Sequence, residues 1–395
     1  MSLNEKVSAE RIHIAFFGLR NAGKSSVVNA VTNQELSVVS DVKGTTTDPV
    51  KKTMELLPIG PVVIIDTAGI DDEGDLGKLR IKKTLNVLNK TDIAILVIDA
   101  TKGKQDEDLK LIKDFEKRNI PYIIAFNKCD LLNEKLELEN NEIYVSAKES
   151  VNINELKELI GKLSNIEAEE KTLLGDVINT GDTVVLVTPI DSSAPKGRLI
   201  LPQQQTIREL LDIGATVVVT KDTELQETLL KLKNPPKLVI TDSQAFKKVS
   251  AIVPENIPLT SFSILFARYK GELWGAVSGA DELDNLQDGD LVLISEGCTH
   301  HRQCGDIGTE KLPNWIKNYT KKDINFQFTS GSDFPEDLTK YKLIIHCGAC
   351  MLTEREMKSR IALASENQVP ISNYGIIIAK INGILERATK PLLWF

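Results

Sequence analysis

The sequence predicts an α/β protein made of three α/β units strung along 395 residues. Three observations predict it. Short β-branched runs alternate with segments of helical period, the pattern of a mainly parallel sheet covered by helices. A glycine-rich turn, "GLRNAGKSS", directly succeeds the first such run. The alternation also starts afresh twice, in a chain too long for one ordinary core.

In the first unit, residues 1–170, the strand-like runs are "RIHIAFFG", "VVIIDTAG", "DIAILVID", "PYIIAFNK" and "EIYVSAK". Helical period lies between several of them, as in "DEDLKLIKDFEKRN". The stretch "LSNIEAEEKTLLGDVINTGD" reads as a closing helix and a boundary near 170. The second unit, residues 171–261, has strands "DTVVLVTP", "GATVVVT", "PKLVITD" and "IPLTSF", with helical segments "TIRELLD" and "TELQETLLKLK". It holds no cysteine or histidine. The third unit, residues 262–395, opens on the helix "SILFARYKGELWGAV" and carries strands "DLVLISE", "INFQFTS", "KLIIHCG" and "VPISNYG". No low-complexity segment and no short-period repeat stands out.

A hydrophobic share of 42% with 26% charged residues is that of a soluble globular chain. The net charge of -8, from 48 basic and 56 acidic residues, argues against a nucleic-acid partner, because neutralising phosphates needs a concentrated basic surface. The polar start "MSLNEKVSAERIH" lacks the apolar stretch of a leader peptide, and no run approaches the ~18 apolar residues of a membrane helix. Five cysteines are an odd number and a poor disulfide framework; clustered cysteines read better as metal or redox ligands. The expected setting is cytoplasmic, without a membrane.

The first unit carries a nucleotide site. "GLRNAGKSS" (Gly18 to Ser26, through Asn21, Ala22 and Gly23) matches G-x-x-x-x-G-K-[ST] directly after a strand. Its glycines let backbone N–H groups curl around phosphates, Lys24 reaches the β- and γ-phosphates, and Ser25 can ligate Mg²⁺. "DTAG" ends a later strand, so Asp66 can hold the Mg²⁺ shell and the Gly69 N–H can sense the γ-phosphate. Between them "GTTTD" should supply a threonine to Mg²⁺; Thr46 is the expected one, with Thr45 and Thr47 beside it. "NKCD" (Asn127, Lys128, Cys129, Asp130) and "SAK" (Ser146, Ala147, Lys148) follow the last two strands. Cys129 is a filler in that motif and is given no role.

The base follows from hydrogen-bond polarity. Asp130 can accept from the N1–H and amine of guanine, and the Ala147 N–H can donate to O6. Adenine has the opposite polarity at both places and would leave buried groups unpaired, at ~1–3 kcal/mol each. The ligand is therefore GTP. These motifs resemble the Era/TrmE-like branch of the translation-factor-related GTPases. Ile70 stands where Ras-like enzymes carry a water-positioning glutamine, so the resemblance implies slow basal hydrolysis. Asn21 stands where potassium-activated members hold K⁺, a cation that can stabilise the transition state. Thr47 replaces an arginine common among relatives.

Seven of the nine cysteines and histidines (Cys298, His300, His301, Cys304, His346, Cys347 and Cys350) fall between positions 298 and 350. "DLVLISE" runs into Gly297-Cys298, and "YKLII" runs into His346-Cys347. In an open parallel sheet the carboxyl ends of strands form the ligand crevice, which would bring both groups together. Asn373 and Tyr374, at the end of "VPISNYG", would share that rim. Thr353 and Glu356 read as a capping box opening a helix whose positive end favours thiolates. Three chemistries remain open on the residues alone: a tetrahedral zinc site, a C-x-x-C redox pair, and an iron–sulfur cluster on three thiolates.

Cys-x-His followed by His-Cys-x-x-Cys, behind an Era-like GTPase, resembles the [FeFe]-hydrogenase maturation GTPases, the HydF family, over the whole chain. The resemblance implies a GTPase domain, a central dimerisation domain and a C-terminal domain binding a [4Fe–4S] cluster through Cys298, Cys347 and Cys350. His300 and His346 match the family's histidines, as fourth ligand or as support for the ligands. Cys304 is an extra thiol outside the motif. It further implies a homodimeric carrier for a CO- and CN⁻-bearing di-iron precursor. Two radical-SAM maturases would make that precursor, and apo-[FeFe]-hydrogenase would receive it. An exchangeable fourth position on the cluster suits a protein that must release cargo.

Overall fold

A computed structural model describes residues 11–33, 49–57, 59–67, 69, 84, 86–134, 137–166, 172–190, 199–271, 273–297, 306–331 and 333–392. The chain divides into two compact units, Met1–Glu169 and Glu170–Phe395. Both are α/β, as the alternation of strand and helix predicts.

The first unit is built on β1 (Ile12–Phe17), β2 (Val50–Leu56), β3 (Gly60–Asp66), β4 (Ile93–Asp99), β5 (Tyr122–Asn127) and β6 (Glu142–Tyr144). Their order is β2-β3-β1-β4-β5-β6. Among the described residues of this sheet, only the β2–β3 pair is antiparallel. Every residue of β4 is buried, as a central strand covered on both faces must be. Helices Lys24–Thr32, Asp106–Lys117 and Ile153–Ile166 belong to this unit.

Strand β2 was not expected. Its sequence, "VKKTMEL", is mostly exposed and carries two lysines, so no apolar alternation marks it. It joins by backbone register with β3, from Val50 opposite Asp66 to Leu56 opposite Gly60. Charged side chains on such an edge also discourage further pairing.

The second unit holds two four-stranded sheets, both parallel throughout. One comprises β7 (Thr183–Val187), β8 (Thr216–Thr220), β9 (Leu238–Thr241) and β10 (Leu259–Ser261), in the order β10-β9-β7-β8. The other comprises β11 (Leu291–Glu296), β12 (Asn325–Ser330), β13 (Leu343–His346) and β14 (Ile371–Asn373), ordered β12-β11-β13-β14. These are the same topology read from opposite edges. One apolar core, reaching from Leu173 to Leu392, serves both sheets.

The shared topology exposes a long-period repeat. Matching the fourth strands places "IPLTSFSILFARYKG" (257–271) beside "VPISNYGIIIAKING" (369–383). In both copies the strand passes straight into a helix, Phe262–Lys270 or Tyr374–Ile381. Ser261 caps the first by accepting from the Ile264 N–H, and Asn373 caps the second by accepting from the Ile376 N–H. The two helices pack together, and Asn373 Nδ2 donates to the Ser263 carbonyl at 2.8 Å.

Candidate nucleotide site and candidate metal centre

In the first unit, β1 leads into a turn that needs its glycines. Gly18 has φ 151°, and a Cβ there would stand 2.3 Å from the Val97 carbonyl oxygen. Gly23 has φ 83°, and a Cβ would stand 2.2 Å from Asn127 Nδ2. Asn21 is also left-handed, at φ 63°, in a conformation asparagine tolerates. The helix Lys24–Thr32 then starts at Gly23 with no side-chain cap, so its first N–H groups keep the role of an anion cradle.

Asp66, at the end of β3, joins the turn from the other side. Lys24 Nζ lies 2.9 Å from Asp66 Oδ1, and Ser25 Oγ donates to Asp66 Oδ2 at 2.8 Å. Lys24 and Asp66 are both buried. The expected phosphate lysine, Mg²⁺ serine and Mg²⁺ aspartate thus meet at one point. Ser26 follows on the same helix, and Gly69 lies against the Arg20 backbone.

The base-reading motifs connect to this turn through Asn127. Its Nδ2 donates to the Ala22 carbonyl at 2.9 Å, and its Oδ1 accepts the Ala147 N–H at 3.1 Å. Lys128, left-handed at φ 66°, donates to the Asn21 carbonyl at 2.7 Å and to Asp99 Oδ2 at 2.6 Å. Burial works to raise the Asp99 carboxyl, but hydrogen bonds from Lys128 and Thr101 together hold it below its ordinary value. Asp130 is exposed, and a bond from the Ser146 hydroxyl leads in holding its carboxyl down, which keeps it ionised. Lys148 is exposed beside it, while Cys129 is buried. Asp99 was missed in the sequence; an acidic residue closing an all-apolar strand was the available signal.

Thr45, Thr46, Thr47 and Ile70 lie outside the described residues, as do Cys298, His300, His301 and Cys304. Among the described residues, no three His, Cys, Asp or Glu side chains gather as a metal site.

In the second unit, β11 and β13 are neighbours, with Ser295 opposite His346. The Cys347 N–H donates to the Ser295 carbonyl at 3.0 Å. Cys347 Sγ accepts the N–H of Gly297 at 3.0 Å and that of Ala349 at 3.4 Å. Gly297 is the residue before Cys298. N–H donors to sulfur favour the thiolate. Three residues further on, Cys350 is half-buried; burial pushes its thiol up and the Lys270 charge opposes that. Cys347 also borders a cavity of about 40 Å³ lined by small and apolar residues, among them Ala267, Ala276 and Gly348.

His346 is fully buried, and both ring nitrogens are engaged. Nδ1 is 3.0 Å from the Cys347 carbonyl and Nε2 is 2.9 Å from Arg360 Nη1. A carbonyl only accepts and a guanidinium only donates, so the ring is neutral with its proton on Nδ1. Burial, and then the Arg360 charge, push the imidazole down to about 3 against the Cys347 bond. Arg360 also donates to Ser295 Oγ at 3.2 Å, to the Gly331 carbonyl at 2.6 Å and to Glu356 Oε1 at 3.0 Å.

Thr353 caps helix Glu354–Glu366 by accepting the Glu356 N–H at 3.1 Å, while the Glu356 carboxylate pairs with Arg360. Asn373 and Tyr374, expected on the rim, are buried and structural: Asn373 is a helix cap, and the Tyr374 hydroxyl donates to Glu296 Oε1 at 3.5 Å. Sequence reading missed Arg360 and Lys270. Glu356 and Arg360 are spaced i,i+4 on one helix, which could have flagged the first; a lone lysine before a glycine gave no signal for the second.

Comparison with known proteins adds three family matches. Residues 13–128 match a family described as 50S ribosome-binding GTPase. Residues 173–271 match the hydrogen maturase F dimerization domain, and residues 274–391 match the hydrogen maturase F tetramerization domain. Among curated relatives, the tRNA modification GTPase MnmE of Desulforamulus reducens is 30% identical over 174 residues, 44% of this chain and 36% of that protein. GTPase Der of Kosmotoga olearia is 38% identical over 131 residues, 32% of this chain and 29% of that protein. The chain thus spans about a third of the length of these relatives. Among solved structures, Aquifex aeolicus Era bound to GDP·AlF4⁻ is 18% identical, covering 53% of this chain and 93% of its own, with a TM-score of 0.35. Among the described residues no helix is long and apolar enough to cross a membrane.

Proposed function

The chain belongs to the hydrogen maturase F family, and from that premise we propose that it is a GTP-hydrolysing scaffold and carrier in [FeFe]-hydrogenase assembly. It binds a [4Fe–4S] cluster and a di-iron precursor bearing CO and CN⁻, and delivers the precursor to apo-[FeFe]-hydrogenase. Two radical-SAM maturases supply that cargo, and the chain works in the cytoplasm as an oligomer. The observation that carries this reading is the meeting of strand ends at Cys347, where Gly297, the neighbour of Cys298, donates to the sulfur at 3.0 Å.

Cys298, Cys347 and Cys350 would hold the cluster. The chemistry fits: N–H donors converge on Cys347, and Cys350 sits in a half-buried turn beside a lysine. When bound, the cluster would supply an iron–sulfur centre able to take an exchangeable group. His346 is support and not a ligand, since Arg360 and the Cys347 carbonyl take both its nitrogens. That leaves His300, the other histidine of the motif, as the candidate for the fourth position.

In the first unit, GTP would bind with Mg²⁺ held by Ser25 and Thr46, and K⁺ would be held by Asn21. Lys24, paired with Asp66 at 2.9 Å, would reach the β- and γ-phosphates, Asp66 would help hold Mg²⁺, and the Gly69 N–H would face the γ-phosphate. Nucleotide can switch partner binding only by holding two conformations with different affinity.

The test is anaerobic reconstitution of wild type and Cys347→Ser. Wild type should turn brown with about four irons per chain, as a [4Fe–4S] centre requires, and the variant should lose the visible absorption. A colourless wild type carrying stoichiometric zinc would reject the cluster.

A further inference from the structure

We propose that Lys270 is the positioning residue of the cluster loop, a cation lent by one repeat to hold Cys350 and ease reduction of the cluster bound by the other. This rests on the cluster reading above. Lys270 is the last residue of helix Phe262–Lys270, which closes the first repeat, and it is 2% exposed. Its ammonium donates to the carbonyls of Ala349 at 3.3 Å, Cys350 at 3.3 Å and Leu352 at 2.6 Å. Three carbonyls of one turn converge on a single nitrogen, and that turn contains the second cysteine of the C-x-x-C pair.

The backbone is shaped for this. Ala349 is left-handed at φ 53°, a conformation unfavourable for alanine unless its surroundings impose it. Thr353 then caps the next helix, so the turn is fixed by Lys270 on one side and by a helix start on the other. The repeat supplies a contrast. The residue matching Lys270 in the second copy is the uncharged Asn382, which ends the helix Tyr374–Ile381. The copy without soft ligands provides the buried cation, and the copy with them receives it.

A buried ammonium is costly unless hydrogen bonds and a nearby negative charge offset the loss of water. A cluster on thiolates is such a charge, and one-electron reduction makes it more negative by one unit. A fixed cation beside it therefore stabilises the reduced form more than the oxidised form. Lys270 should raise the potential as well as order the loop.

The experiment uses full-length chain reconstituted anaerobically, with iron counted per chain and the potential taken by dithionite titration followed by electron paramagnetic resonance. Lys270→Gln keeps donors and removes the charge. It should retain its cluster while the reduction equilibrium falls at least tenfold, about 59 mV to the negative for one electron. Lys270→Met removes both and should lose iron as well. A Lys270→Gln cluster at full occupancy with the wild-type potential overturns the proposal. Should Lys270→Gln hold too little cluster to titrate, Lys270→Arg decides: retention near wild type supports the clasp and loss of cluster overturns it. A wild type that takes up no cluster defeats the underlying reading and the role of Lys270 with it, whereas a wild type that does leaves the variants to decide the role alone.

Discussion

Replacing Arg360 with methionine probes the polar knot behind the candidate metal centre. The guanidinium is 4% exposed and donates to four partners, of which Glu356 is itself 5% exposed. Methionine fills much of the volume but leaves the Glu356 carboxylate buried beside a severed pair. Breaking a buried pair on one side costs about 3–5 kcal/mol, whereas replacing both partners with apolar residues is near neutral. Arg360→Met should therefore destabilise the second unit by about 3–5 kcal/mol, and Arg360→Met with Glu356→Leu should recover the part due to the severed pair, while Ser295, His346 and Gly331 still lack their donor. All three tryptophans (Trp274, Trp315 and Trp394) lie in the second unit, so urea unfolding followed by their fluorescence reports on that unit alone. The midpoint should fall and then return partway while the slope stays constant. A single variant losing under about 1 kcal/mol, or a double variant no better than the single, would refute the assignment of a buried, tightly bonded pair.

Two further predictions concern the first unit. Gly23→Ala places a Cβ 2.2 Å from Asn127 Nδ2 at φ 83°. The left-handed alanine alone costs about 1–2 kcal/mol, and Asn127 must release Ala22 or Ala147. Affinity for a fluorescent GTP analogue should fall at least about tenfold; unchanged binding would show that the turn does not form this cradle. Asp130→Asn reverses the polarity facing the base and should move preference from guanosine to xanthosine nucleotides. Competition between GTP and XTP reads this directly, and intact GTP selectivity would sink the assignment of Asp130.

The two kinds of site were unequally legible in the sequence. The nucleotide turn could be read because phosphate binding dictates glycines at fixed offsets, and the structure shows the crowding at Gly18 and Gly23 that demands them. Strands β1, β3, β4 and β5 were legible because burial on both faces leaves continuous apolar runs. Strand β2 was not, since an exposed edge is held by backbone bonds that leave no mark on side-chain pattern. Lys270 and Arg360 were hidden for another reason: each acts on carbonyls or a ring brought near only by tertiary packing. The repeat was hidden because similarity survives in the type of residue more than in its identity, and strand order had to supply the alignment.

That repeat separates frame from chemistry. After the third strand of each sheet comes one residue at the equivalent place: Asp242 follows β9 and Cys347 follows β13. Asp242 accepts from Gln203 Nε2 at 3.0 Å, a hydrogen bond from a neutral donor within its own copy. Cys347 draws N–H donors from Gly297 and Ala349, the surroundings a thiolate needs. One backbone topology thus holds two unlike rims, so a fold match to either copy says nothing of soft-ligand chemistry. The chemistry lies in which side chains the strand ends carry, and in the buried lysine that crosses from one copy to the other.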